Sequence, residues 1–163
     1  MARRPRQPLE GYRVVEMAHH LAAPLAAMYL ADFGADVIKV KTLEGEDWRR
    51  WGRPSPAGDS QLYLAINRNK RSLSLDYASP AGRRVLDRLL ASADVLLTNY
   101  TPEVLARLRL APRTLARRHR GLVVCALSAF GTRGPDAGAR STSSSARRQV
   151  GCFPTPTAPA PRW

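Results

Sequence analysis

Apolar positions along this chain fall into two alternating registers, short β-type runs and stretches with helical spacing, and the alternation continues from residue 12 to residue 127. Residues 12–16 read as a strand. After a loop, Leu25, Met28, Tyr29 and Phe33 recur at helical spacing over 24–33, with Pro24 suited to a first turn and Gly34 ending the helix. Residues 36–40 follow as a second strand whose apolar side chains are Val37, Ile38 and Val40. Strand, helix and strand in that order predict a parallel pair joined by a right-handed crossover. Residues 42–60 are polar and turn-rich, with Trp48 and Trp51 among charges, and predict an excursion over the surface. A strand over 72–76 comes next. Ser79 can then cap, and Pro80 open, a helix running to Ala93. A strand over 95–98 leads to a second cap-and-proline start at Thr101-Pro102, for a helix through Leu108 with Glu103 in its first turn. The basic segment 113–120 precedes a last, buried-looking strand over 122–127. The predicted fold is α/β, a Rossmann-like doubly wound and mostly parallel sheet.

After Arg140 the pattern stops. Residues 141–163 hold four prolines, no acidic residue and no hydrophobic period, so burial there cannot offset the ordering entropy, and a disordered tail is expected. Three segments follow: a basic flexible N-terminus over 1–8, an α/β part over 9–140 and a low-complexity tail over 141–163.

Composition changes this picture little. The net charge of +13 would ordinarily point to nucleic acid or an anionic surface, but all basic residues except Lys39, Lys41 and Lys70 are arginines, scattered rather than striped. That bias fits a GC-rich coding sequence, and nucleic acid is not the expected partner. Cys125 and Cys152 have no metal-like spacing, and Cys125 in its apolar run reads as a small buried hydrophobe. No apolar stretch approaches a membrane span, and the basic N-terminus leads into no signal-peptide core, so a cytoplasmic location is expected.

Neither GxGxxG nor GxxxxGK[ST] occurs, which argues against a standard dinucleotide or P-loop site. His19 and His20 are adjacent and cannot easily face one metal, so they read as partly exposed loop histidines. Asn69, Lys70 and Arg71, with Asn67 and Arg68 before them, form either a solvated charge run or a phosphate-binding rim. Asn99, Tyr100 and Thr101 follow the carboxyl end of a predicted strand. They make either a plain helix cap or a ligand site of the kind found at strand ends in open α/β sheets.

Several motifs occur together in order. Leu9-Glu10-Gly11-Tyr12-Arg13-Val14-Val15-Glu16, Ala31-Asp32-Phe33-Gly34-Ala35-Asp36-Val37-Ile38-Lys39-Val40 and Asn69-Lys70-Arg71-Ser72-Leu73-Ser74-Leu75-Asp76 are followed by Ala93-Asp94-Val95-Leu96-Leu97-Thr98-Asn99-Tyr100 and Ser128-Ala129-Phe130-Gly131. Residues 9–140 thereby resemble the N-terminal portion of family III CoA-transferases, the formyl-CoA and carnitine-CoA type. The resemblance implies transfer of CoA between a thioester and a small carboxylic acid through an aspartyl-CoA thioester, with no permanently bound cofactor and with CoA or acyl-CoA as substrate. It carries the family's CoA contacts onto Leu21, Ala22, Leu75, Asp76, Tyr77, Ala78, Asn99, Tyr100, Thr101, Arg107 and Arg140, the two arginines being natural phosphate partners. It also implies an interlocked homodimer.

Two departures stand out. Where the family has a basic residue after the second strand this chain has Thr42, with Lys41 one place earlier. No residue can be assigned as the nucleophilic aspartate, because the family's motif lies beyond the equivalent of Arg140 and Asp136 comes too early. A frame-shift accounts for the break: permitted codons for Ser141-Thr142-Ser143-Ser144-Ser145, read one base earlier, give an apolar residue followed by Asp-Leu-Leu-Val. The chain is thus expected to be a truncated, catalytically impaired CoA-transferase. The alternatives are a non-catalytic CoA-binding or dimer-interfering fragment and, from a third class, a basic nucleic-acid binder.

Overall fold

The computed structural model describes residues 6–131 and Pro135. Arg140, Cys152 and the 141–163 tail lie outside the described residues. Five strands, β1 Arg13–Met17, β2 Asp36–Lys41, β3 Arg71–Ser74, β4 Val95–Thr98 and β5 Val123–Ala126, form one sheet in the order β3-β2-β1-β4-β5. Every neighbouring pair is parallel, with Val15 level with Ile38 on one side and Leu96 on the other. The order reverses direction between β1 and β4, as the doubly wound pattern requires. Two short helices and one longer one, α3 Pro80–Ala91, α4 Pro102–Arg107 and α5 Pro112–Arg118, cover one sheet face, where Val15, Met17, Ile38, Val40 and Leu96 pack on Leu86, Leu90, Leu105 and Leu115. Helix α1 Ala22–Asp32 covers the opposite face, where Val14, Val37 and Leu97 meet Ala23, Ala27 and Ala31.

The α1 contact is made by alanines. The helical spacing of Leu25, Met28, Tyr29 and Phe33 is real, but Tyr29 and Phe33 are about half exposed and a row of small residues faces the sheet instead. Small side chains let the helix backbone approach the strands, and Tyr29 and Phe33 are left outside while Met28 is buried. The helix also begins two residues before Pro24, at Ala22.

Other expectations shift. Strand β3 starts at Arg71 and ends at Ser74, so Leu75 and Asp76 belong to the turn that follows. The excursion after β2 contains a helix the sequence did not announce, α2 Gln61–Ile66, whose Ser60 hydroxyl accepts from the Tyr63 amide at 3.3 Å. The basic segment before the last strand is itself helix α5, opened by Pro112. Strand β5 pairs on one side only among the described residues, and Val123 and Cys125 are exposed rather than buried. An edge position explains the difference, because an apolar run on an edge strand has half its neighbours missing. Helix α3 begins as expected, with the Ser79 hydroxyl accepting from the Gly82 amide at 3.1 Å.

On the α1 face the apolar contact gives way, towards the carboxyl ends of the strands, to buried charge. The Lys39 ammonium donates to Glu16 Oε1 at 2.6 Å and to the Ala18 carbonyl at 3.1 Å. Lys70 reaches the same carboxylate, 2.8 Å from Glu16 Oε2 but off the hydrogen-bonding direction, so the contact is an ion pair. Its protons go to the Pro24 carbonyl at 2.7 Å and to Asn67 Oδ1 at 3.0 Å. Burial pushes the Lys70 ammonium below its ordinary value, and the neighbouring Glu16 works against that shift. Side-chain exposures of 3% or less at Glu16, Lys39 and Lys70 mean that none of these charges has water to fall back on.

Replacing Lys39 by Met leaves Glu16 and Glu46 facing a lost cation, and the loss in denaturant-derived stability is expected at roughly 3–5 kcal/mol. Arg71→Met, which removes only the exposed pair with Asp36, is expected to cost less than about 1 kcal/mol. Gly82→Ala should destabilise, by about 1–3 kcal/mol from overpacking, although alanine is normally favoured over glycine in a helix by about 1 kcal/mol. The reason is that a Cβ at this position meets the Asp76 carbonyl. A rise in urea midpoint for that variant would contradict the packing described.

Candidate functional site

The carboxyl ends of β1 and β4 lie side by side at the point where the sheet order reverses, the place where open α/β sheets form a ligand crevice. The loop after β1 carries Ala18, His19, His20 and Leu21; the one after β4 carries Asn99, Tyr100 and Thr101. The Asn99 side chain joins them. Its Oδ1 accepts from the His19 amide at 3.0 Å and its Nδ2 donates to the His19 carbonyl at 2.7 Å. With both amide groups used on backbone, Asn99 fixes the separation of the two loops. His20, next to this clamp, holds a positive φ of 64°, which a non-glycine residue adopts only at some cost in strain.

Helix α1 starts at the same edge. Its first residue follows Leu21, no side chain caps it and no acidic residue occupies its first turn, so free amide donors and the positive helix end remain at the crevice. Leu21 and Ala22 are both exposed.

A line of polar side chains runs from the crevice into the core. The Tyr77 and Tyr100 hydroxyls are 3.3 Å apart, and His19 Nε2 lies 3.1 Å from the Tyr100 hydroxyl. On its other side, His19 Nδ1 is 3.5 Å from Glu46 Oε1, which Lys39 also approaches at 2.9 Å. Lys39 then connects to Glu16. Burial pushes the Tyr100 hydroxyl far above its ordinary value, and its bond to Tyr77 adds to the shift, so the phenol stays neutral. For Glu46, burial pushes upward, but the His19 contact and the Lys39 charge outweigh it and hold the carboxyl below its ordinary value. Beside the line, His20 meets Trp48 edge-on at 5.6 Å, and Trp48 stacks on Trp51 at 5.6 Å and 17°.

Of the residues the sequence singled out, Leu21, Ala22, Asn99, Tyr100 and Thr101 are brought to the carboxyl edge of the sheet, as are Leu75, Asp76, Tyr77 and Ala78 after β3. Leu75 packs partly into the core, and its amide donates to the Lys41 carbonyl at 2.9 Å. The Asp76 carboxylate accepts from the Ala78 and Ser79 amides at 3.1 and 3.3 Å, which makes the turn that starts α3. Thr101 precedes α4 without capping it through its side chain. Arg107, in the last turn of α4, is exposed and forms no ion pair among the described residues. Asn69 and Arg71 are not brought to this edge, and the Lys70 ammonium, although beside the first turn of α1, is buried beneath it. Asn69 donates to Asp32 at 2.8 Å and Arg71 to Asp36 at 3.1 Å, both at the amino end of the sheet, while Lys70 is buried on Glu16. Lys41 is also buried, its ammonium pushed down first by burial and then by Arg49. Thr42 is half-buried.

The sequence did not reveal His19 and Glu46 as partners. His19 lacks a metal-like spacing and Glu46 sits in a polar loop, so only the folded loop brings them together. No group of His, Cys, Asp and Glu that could hold a metal occurs among the described residues, and no helix there is long and apolar enough to cross a membrane.

Comparison with known proteins gives this geometry a family. The profile described as CoA-transferase family III matches residues 9–159. The chain is 42% identical over 135 residues to the succinate–glutarate CoA-transferase of Agrobacterium fabrum, covering 78% of this chain and 34% of that protein. It is 36% identical over 130 residues to the succinyl-CoA:glutarate CoA-transferase of Mus musculus, covering 79% of this chain and 30% of that one. Among solved structures, a CAIB/BAIF family protein from Brucella suis superposes with a TM-score of 0.82 at 35% identity, over 90% of this chain and 40% of that chain. Rv3272 from Mycobacterium tuberculosis does so with 0.84 at 31% identity, over 94% and 43%. The chain spans about a third of the length of the curated relatives it matches. Profile, identity and fold agree, and the chain belongs to the family III CoA-transferases.

Proposed function

We propose that the crevice at the carboxyl ends of β1 and β4 binds coenzyme A or its thioesters, and that the chain provides this binding surface for CoA transfer to a small carboxylic acid. The observation that carries the reading is convergence: three sequence-distant segments, Leu21-Ala22, Leu75 to Ala78 and Asn99 to Thr101, reach one edge of the sheet beside an uncapped helix start. Backbone donors and the positive end of α1 suit phosphate and amide oxygens there. Arg107 is exposed and forms no ion pair among the described residues, which suits a phosphate of the coenzyme; Arg140 is assigned a similar part by its resemblance alone. Asn69, Lys70 and Arg71 have their polar groups engaged internally and act in this reading as structural residues.

The reaction of the family reading balances without an external reagent. A carboxylate attacks the thioester carbonyl and CoA thiolate leaves, giving a mixed anhydride. The thiolate then attacks the enzyme-side carbonyl, releasing the first acid and leaving an enzyme-bound CoA thioester for the second acid. No described residue is assigned as that carboxylate. Self-association as a homodimer is part of the same proposal.

Calorimetric titration of the folded chain with CoA should give saturable heat, and Arg107→Ala should weaken CoA more than it weakens dephospho-CoA if that arginine meets the 3′-phosphate. Asn99→Ala removes both loop-joining bonds and is expected to weaken CoA roughly tenfold, in line with the loss of about 1–2 kcal/mol of positioning. Absence of saturable heat from protein with native circular dichroism would overturn the assignment. Incubation with succinyl-CoA and glutarate tests transfer itself.

A further inference from the structure

We propose that the Tyr77–Tyr100–His19–Glu46 line is a proton-linked donor relay, so that a ligand oxygen bound at the Tyr77 hydroxyl draws one proton onto His19. The inference rests on the crevice binding a CoA-type ligand and adds to it how the site recognises an acceptor oxygen.

Glu46 is buried and held as a carboxylate beside Lys39, so a bare lone pair on His19 Nδ1, 3.5 Å away, would face negative charge. Nδ1 therefore carries a proton in every state. If His19 is neutral, Nε2 is an acceptor and takes the Tyr100 hydroxyl proton across 3.1 Å. The Tyr100 oxygen then accepts from Tyr77 across 3.3 Å, and Tyr77 turns only lone pairs outward. If His19 is the imidazolium, Nε2 donates to Tyr100, Tyr100 donates to Tyr77, and the Tyr77 proton is released for a ligand. One proton on His19 thus reverses two hydrogen bonds and converts the outer end of the line from acceptor to donor.

The surroundings support both states. The charged and titratable groups around His19 are Glu46 from the loop after β2, Lys39 from β2, Glu16 from β1 beyond Lys39, Tyr100 from the loop after β4, Tyr77 behind it, and His20 on its own loop. Glu46 is held by Lys39 in one state and gains a second cation in the other. Tyr100 does not ionise in either state, because burial holds its hydroxyl neutral. Among the described residues Tyr77 has no hydroxyl partner other than Tyr100, so its outward capacity is free.

The test is CoA binding by calorimetry at pH 8 in buffers of different ionisation enthalpy. Wild type should take up close to one proton more per CoA than His19→Gln, whose residual uptake measures the ligand's own groups. Tyr77→Phe, which deletes only the hydroxyl, should lower uptake to the same residual level and weaken CoA roughly tenfold. Nitrogen-15 shifts of His19 in the unmutated protein should move from neutral to cationic on saturation. CoA binding with equal proton uptake in wild type and His19→Gln would overturn the relay while leaving the binding site intact. Uptake that persists in Tyr77→Phe would reduce His19 to a simple charge partner of the ligand and likewise overturn it. No CoA binding by any form would instead overturn the site assignment on which the relay rests.

Discussion

The buried chain of charges Lys70–Glu16–Lys39–Glu46 is the constraint on which the rest of the site depends. A carboxylate at the core of a parallel sheet is tolerated only with close cations, and Glu16 has two, each brought by a different part of the fold. Lys39 comes from β2, which sets the register of the first strand pair, and Lys70 from the segment between α2 and β3. Lys70 further holds the first turn of α1 through the Pro24 carbonyl. Lys39 holds the long surface loop through Glu46. Removing any member leaves the others charged, dry and unbalanced, which is why the network acts as one unit.

That unit lies under the crevice and not at a distance from it. Towards the amino end of the sheet the α1 face is an alanine-to-valine contact with no polar demand; towards the carboxyl end it becomes ionic and then opens into His19, Tyr100 and Tyr77. The Asn99 clamp sets the width of the opening and the charge network sets its floor. Loop positions that would otherwise be mobile are tied to the rigid strands beneath them, a form of pre-organisation that lowers the ordering cost of binding.

Much of the fold was legible in the sequence, because alternation of apolar runs, glycine stops and Ser-Pro or Thr-Pro starts encodes local structure directly. The parallel sheet and the placement of Asn99 to Thr101 at a strand end follow from that alone, whereas Leu21 and Ala22 were marked out by the family resemblance. What the sequence hid were effects of tertiary context. Helix α2 is six residues long and sits in a polar loop, too short for a period to be visible. Helix α5 was masked by its charge. Tyr29 and Phe33 look like core residues by spacing, yet the close approach of α1 selects the alanines. Lys70 looks like a surface cation because nothing near it in sequence announces Glu16, and the burial of both is decided by pairing across more than fifty residues of chain. Cys125 was misjudged for the opposite reason, since apolar neighbours in sequence cannot reveal that a strand lies at the sheet edge.

The central claim is spatial: coenzyme recognition belongs to the carboxyl edge of the sheet, and the basic segment before β3 is internal architecture. Backbone hydrogen exchange followed by mass spectrometry, with and without saturating CoA, measures this directly. The account predicts slowed exchange in residues 18–22, 75–79 and 99–101, with residues 67–71 unchanged. Protection confined to residues 67–71, with the three carboxyl-edge segments unaffected, would contradict it.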